Sequence, residues 1–169
     1  MLGKMLGRTI ALIALLTVIA AVPISIWQRH RALDEIETVS QRFVVSASKL
    51  DLVRLRDSLT KDGREAMPAY FICVAAKKLA EVNRHVRIGV RTKVLEIKIS
   101  GGEATARIKR DVTERGTRLG KPVNNRFADE CTVICSFDGE RWLVDLDRTV
   151  KTDRFPIKNM SIFKECLPK

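Results

Sequence analysis

Tyrosine occurs once in this chain of 169 residues and histidine twice, and none of the three stands in a pattern that would make it reactive. Tyr70 falls on a helical stretch with no partner set by motif. His85 lies beside Arg84 and Arg87, the setting of a solvated loop, with no carboxylate or nucleophile spaced to work with it. Neither His30 nor His85 combines with the cysteines at a zinc-like spacing, so no metal site and no cofactor site is expected. Internal repeats, low-complexity tracts, an aromatic-rich strand and a long basic helix are also missing, which leaves nucleic acid as the weakest of the anionic partners considered. Asp145 and Asp147 alternate with Trp142, Val144 and Leu146, which predicts an outward position on a strand rather than a pocket. The sequon Asn159-Met160-Ser161 matters only in a eukaryotic secretory lumen.

The most informative absence is local. From Thr9 to Trp27 there is no charge in TIALIALLTVIAAVPISIW, with Lys4 and Arg8 before it and Arg29 and Arg31 after it. A helix of that length reaches about 28 Å, close to the roughly 30 Å of a bilayer's hydrocarbon. A retained anchor and a cleaved signal peptide both fit. The apolar run continues past the small residues at Ala20 and Ala21 to Trp27, an interfacial residue by type, and this favours the anchor. No cysteine lies directly after the run for lipid attachment. Flanking basic residues nearly balance, so orientation rests on the short N-terminal tail. It predicts a single-pass protein of the inner or plasma membrane with a cytosolic N-terminus and a periplasmic or otherwise extracytoplasmic C-terminal domain.

Beyond residue 28, 141 residues remain, enough for one domain with a core. They hold 29 basic and 20 acidic side chains, a balance that suits anionic partners such as a phospholipid surface, an acidic protein or nucleic acid. The densest basic run, Arg107, Lys109, Arg110, Arg115, Arg118, Lys121 and Arg126, is expected to form one exposed edge that contacts such a partner. A plain solvated surface is the alternative.

Helical spacing of Leu33, Ile36, Val39, Phe43, Val44 and Ala47 predicts a helix over 32–50, either continuing the membrane helix or separate from it. Asp51 is placed to cap a short helix through Leu59, Gly63 to break the pattern, and Pro68 to open a third helix reaching about Arg84. From Ile88 the period changes to two. Leu95, Ile97 and Ile99 lead through Gly101-Gly102 into Ala104, Ala106 and Ile108, a β-hairpin. A loop is expected over 116–125, then a strand with Cys131, Val133, Cys135 and Phe137 on one face. A two-residue turn at Asp138-Gly139 follows, then a fourth strand through Trp142, Val144 and Leu146.

The expected class is therefore α+β: an N-terminal transmembrane helix, then about three helices packed on a curved antiparallel sheet of about four strands. The predicted organisation is a cytosolic tail 1–8, a transmembrane helix 9–28, a domain 29–150, and a tail 151–169 docked on that domain. Over about residues 33–150 the chain resembles the NTF2-like (cystatin-like) superfamily. Asp51-Leu52-Val53-Arg54-Leu55 is similar to its short second helix, and Phe137-Asp138-Gly139-Glu140-Arg141-Trp142-Leu143-Val144 to its last hairpin. With one N-terminal membrane helix added, the architecture is similar to VirB8-like assembly subunits and to envelope-associated NTF2-like proteins. These motifs bear on fold far more than on function.

The four cysteines, Cys73, Cys131, Cys135 and Cys166, all follow the apolar segment. Outside a reducing compartment an even count suggests two disulfides. Four residues of strand hold Cys131 and Cys135 about 13 Å apart, beyond the roughly 7 Å a bridge allows, so each would pair with Cys73 or Cys166 in either of two connectivities. Four buried free thiols are the alternative.

The sequence thus points to a non-catalytic, membrane-anchored interaction or assembly subunit of a cell-envelope complex, with protein partners in that complex. The alternatives are an NTF2-like pocket domain that binds or transforms a small apolar ligand, and a domain that binds anionic lipid or nucleic acid through 107–126.

Overall fold

The structure is a computed structural model that describes the backbone of residues 2–49, 51–71, 85–118 and 120–152, with side chains from residue 26 onward except 68–71. The chain divides into two compact units, 1–34 and 35–169. Helix α1 (Leu2–Lys49) runs through the first and into the second. Among the residues with described side chains, no helix is long and apolar enough to cross a membrane. The charge-free stretch 9–27 lies outside them except for Ile26 and Trp27, both exposed, with the Arg31 guanidinium 5.8 Å over the Trp27 ring.

In the second unit α1 behaves as its spacing predicts. Ile36, Val39, Phe43, Val44 and Ala47 are buried on one stripe. Asp51 caps α2 (Leu52–Asp57), its carboxylate accepting from the Arg54 N–H at 3.1 Å. Helix α3 (Lys61–Phe71) begins seven residues before the expected Pro68, with Gly63 inside it. Thr60 sets this start: its Oγ1 accepts from Gly63 N at 3.2 Å and its carbonyl from Arg64 N at 2.9 Å. A capping hydroxyl outranks both the proline and the glycine as a signal here.

Three long strands form a meander, β1 (Val86–Ser100), β2 (Glu103–Arg118) and β3 (Lys121–Phe137), closed by the short β4 (Trp142–Val144). The sheet order is β1-β2-β3-β4, antiparallel throughout. The hairpin at Gly101, with φ of 60°, is the one predicted. The expected loop over 116–125 is instead the tip of the β2–β3 hairpin, where Arg118 pairs with Lys121. Pro122 is tolerated within β3 because, among the described residues, β4 pairs with that strand only at 135–137 and no other strand pairs with its outer edge at residue 122, where a missing N–H breaks no ladder. Gly116 is required by its neighbour. With φ of 143°, any Cβ there would lie 2.0 Å from the His85 carbonyl oxygen.

A bulge in β1 between Val94 and Glu96 changes which residues face the helices. Val94 opposes Ile108, and after the bulge Ile97 opposes Ala106; Leu95, expected inside, is left 41% exposed.

The last turn also differs from expectation. Phe137 pairs with Trp142, so the loop holds four residues, and Asp138 Oδ1 accepts from the N–H groups of Glu140 and Arg141, both at 3.0 Å. The fourth strand stops at Val144. Asp145 leaves the sheet to cap α4 (Leu146–Val150), accepting from Arg148 N at 3.1 Å, and Asp147 lies in its first turn, so neither is an outward strand residue. Helix α4 closes the edge of β3: buried Thr149 accepts from Ile134 N at 3.0 Å and donates to Ile134 O at 3.3 Å. On its free side β4 is held by the α2–α3 connection through Val144 N to Ser58 O at 2.8 Å and Thr60 N to Val144 O at 3.0 Å. Both devices shield a strand edge that would otherwise present unpaired groups.

Candidate functional site

Strand alternation gives the sheet an inner face toward α1. On β2 that face reads Ala104, Ala106, Ile108, Arg110, Val112, Glu114, opposed on β3 by Cys135, Val133, Cys131, Asp129, Phe127 and Asn125. Its first half is apolar and buried. Two charges in phase with the apolar residues, Arg110 and Glu114, make the second half polar. These are the site's centre.

Arg110 is 4% exposed. Its Nε donates to Asp129 Oδ1 at 2.8 Å, its Nη2 contacts Asp129 Oδ2, and its Nη1 donates to Ser48 Oγ at 2.9 Å. Ser48 in turn donates to the Val44 carbonyl at 2.7 Å, tying the guanidinium to α1. The ring of Phe127 lies 5.7 Å below the Arg110 guanidinium carbon, a cation–π arrangement. A two-pronged carboxylate, a hydroxyl and an aromatic face together make this charge tolerable in a dry layer. Two pairs further along this face, Glu114 accepts from Arg118 Nη2 at 3.1 Å and Asn125 Nδ2 at 3.3 Å.

The two thiols occupy the same face. Burial pushes Cys131 up to about 12; Arg110 opposes this and Asp129 adds to it. Burial pushes Cys135 up to about 11, against the hydrogen bond with Ser40, whose Oγ lies 3.3 Å from the sulfur. Both thiols are held protonated at neutral pH and are poor nucleophiles. Cys131 and Cys135 are also free, so neither expected disulfide is formed at them. Cys73 and Cys166, the expected partners, lie outside the described residues. Among the described residues, no buried side-chain nitrogen or oxygen lacks a hydrogen-bond partner, and no three potential ligands gather to hold a metal.

The structure splits the basic run rather than gathering it on one edge, because a strand sends neighbours to opposite faces. Arg107, Lys109, Arg115 and Arg126 point outward, Arg110 is buried inside, and Arg118 and Lys121 sit at the hairpin tip. Arg107 bonds Glu130 at 3.2 Å and Glu96 at 3.5 Å. His85 is an exposed turn residue before β1, and the Tyr70 side chain lies outside the description. Sequence reasoning missed Asp129, Glu114, Asn125, Phe127 and Ser48. The available signal was phase: Arg110 and Glu114 fall on the same parity as Ala104, Ala106 and Ile108.

Solved structures supply likenesses. A conserved protein from Planctomyces limnophilus matches at 18% identity and a TM-score of 0.50, over 68% of this chain and 91% of that one. A ketosteroid isomerase-like protein from Erwinia carotovora atroseptica matches at 16% and 0.48, over 66% and 89%, and a protein from Catenulispora acidiphila at 17% and 0.44, over 75% and 99%. No protein-family model matches the chain, and comparison with curated proteins finds no relative. At such identity the likeness to the planctomycete protein is one of fold. The helix-covered antiparallel meander is the α+β arrangement expected from the sequence.

Proposed function

We propose that this chain is a membrane-anchored NTF2-like domain that acts as a non-catalytic interaction or assembly subunit of a cell-envelope complex. The observation that carries the reading is the state of the inner face. Arg110 is spent on Asp129 and Ser48, Glu114 is held by Arg118 and Asn125, and both thiols are driven to their neutral form. A general base needs an unengaged lone pair near its reactant, and a nucleophile needs a lowered pKa or an adjacent base. These groups hold one another in place instead. The charge-free stretch 9–27 supplies the tether, with the domain on the extracytoplasmic side. Extraction of the full chain from membranes in mild detergent, followed by size analysis and identification of co-purifying proteins, tests this. Defined partners at fixed ratio are expected; a lone monomer sinks the proposal.

A second reading, a pocket for a small apolar ligand, is favoured by the far end of the inner face. There Ile88, Val90 and Thr92 of β1 are only half-buried and Phe127 is 42% exposed. Titration with an environment-sensitive apolar dye checks it: saturable binding abolished by Phe127→Ala supports a pocket, and non-saturable binding removes it.

A further inference from the structure

The outer face of the sheet is divided as unevenly as the inner one. Its rows across β1, β2 and β3, taken from the hairpin tip, are Arg87, Arg115, Asn124; Gly89, Thr113, Arg126; Arg91, Asp111, Ala128; and Lys93, Lys109, Glu130. Six exposed cations stand here against two carboxylates. The next rows, Glu96, Arg107, Thr132; Lys98, Thr105, Ile134; and Ser100, Glu103, Ser136, are balanced. Moreover the carboxylates near the boundary are engaged on the balanced side. Glu130 and Glu96 hold Arg107, Glu96 also holds Lys98 at 3.1 Å, and Glu103 holds Arg148.

Two pairs in the cationic half are like charges directly opposite each other, Arg87 with Arg115 and Lys93 with Lys109. Such pairs destabilise a sheet. Among the described residues, neither these four nor Arg91 and Arg126 make an ion pair. The middle of the patch is low: Gly89 has no side chain, and the Thr113 hydroxyl lies over it, 3.4 Å from its carbonyl oxygen. With about 4.8 Å between strands and about 6.6 Å between same-face neighbours, Arg87, Arg91, Arg115 and Arg126 surround that recess within one side chain's reach.

We infer that this cationic half-face, centred on Gly89 and Thr113, docks on the anionic phospholipid surface of the membrane that carries the chain. The chemistry required is a plane of phosphate oxygens, which neutralises the opposed like charges and is matched by a broad, rigid, aromatic-free face. A single-stranded polynucleotide would call for aromatic platforms, and the inward/outward alternation leaves none on the outer face of these rows. The inference rests on the anchored reading above for the choice of lipid over other anions, and with the domain extracytoplasmic it requires anionic headgroups in the leaflet on that side.

The test uses the full chain in lipid nanodiscs, of phosphatidylcholine alone or enriched in phosphatidylglycerol, with amine acetylation read at each lysine by mass spectrometry. Incorporation into neutral discs reads the anchor; the difference between the two discs reads the face. Acetylation of Lys93 and Lys109 is expected to fall roughly fivefold in the anionic discs, the factor that one cation gains at an anionic surface. Exposed Lys61 and Lys151 stay unchanged, and high salt restores Lys93 and Lys109. The variant Arg91→Gln/Arg115→Gln/Arg126→Gln, checked for an unchanged circular dichroism spectrum, loses the protection. Equal acetylation in the two discs overturns the inference, as does protection by polynucleotide or inorganic phosphate but not by phosphatidylglycerol. A chain that stays out of neutral discs refutes the anchor alone, and the same lysine comparison on vesicles of the two compositions then decides the face.

Discussion

Arg107 and Arg110 lie three residues apart on β2 and each is paired with carboxylates, yet they belong to different electrostatic worlds. Arg107 is on the outer face, its side chain 44% exposed, sharing Glu96 and Glu130 at 3.5 and 3.2 Å. Arg110 is on the inner face, its side chain 5% exposed, gripped by Asp129 and roofed by α1. Water screens the first pair to a small net value. The second has lost its water on the guanidinium side, so the partner becomes a condition for folding rather than a bonus. The difference teaches that on a long two-sided strand the face decides the worth of a charge.

The strongest way to break this comparison is to remove the roof. Phe43→Ala takes a fully buried ring out of α1, and a loss of about 4 kcal/mol of stability is expected. Denaturant unfolding of the detergent-solubilised chain measures it. Faster native-state alkylation of Cys131 should accompany the loss, because the inner face becomes wetter.

Next comes the partner. Asp129→Leu strands the Arg110 charge, and a loss of about 3 kcal/mol is expected, at the lower end for a buried pair because the Asp129 side chain is 24% exposed. The double variant Arg110→Met/Asp129→Leu should recover most of it. A double variant no more stable than the single would mean that the pair holds the face together in some other way than by mutual neutralisation.

The thiols give a pH dependence of known sign. An unfolded thiol releases its proton near pH 9.0, whereas folded Cys131 keeps it to about 12 and Cys135 to about 11. The stability these neutral thiols contribute is therefore complete below about pH 9 and is lost as the pH rises toward 11 to 12. Unfolding midpoints should fall across that window more steeply in the native chain than in Cys131→Ala/Cys135→Ala. Parallel curves would show that the thiols are hydrated.

The smallest effect belongs to the outer pair: Arg107→Ala should cost under about 1 kcal/mol and vanish at high salt. A loss matching that of Asp129→Leu would erase the distinction between the two faces.

Much of this architecture was readable in the chain because local chemistry sets it. The α1 stripe, the Asp51 cap, the Gly101 hairpin and the inward run Ala104, Ala106, Ile108 follow from periods and capping groups that act within a few residues. The readings that failed depended on distant partners. Strict alternation from Ile97 places Leu95 inward, but the bulge that breaks phase is fixed by pairing with β2. Asp145 looked like a strand residue until the β3 edge at Ile134 accepted its N–H at 2.9 Å. The candidate site is half legible: the sequence singles out Arg110, but as a surface cation. Its neighbours Asp129 and Ser48 lie 19 and 62 residues away in sequence, and no spacing connects them.

By itself, then, the sequence determined the charge-free nineteen-residue segment, the change of period from helix to strand, and the excess of positive charge, all properties of near neighbours or of sums. Only the tertiary structure decided the sorting of that charge, sealing Arg110 against Asp129 beneath α1 and lining up Arg87 with Arg115 and Lys93 with Lys109 on the opposite side. The physical reason is register: a pleated strand exposes alternate residues to different solvents, and which alternate faces which is settled by strand pairing and a single bulge.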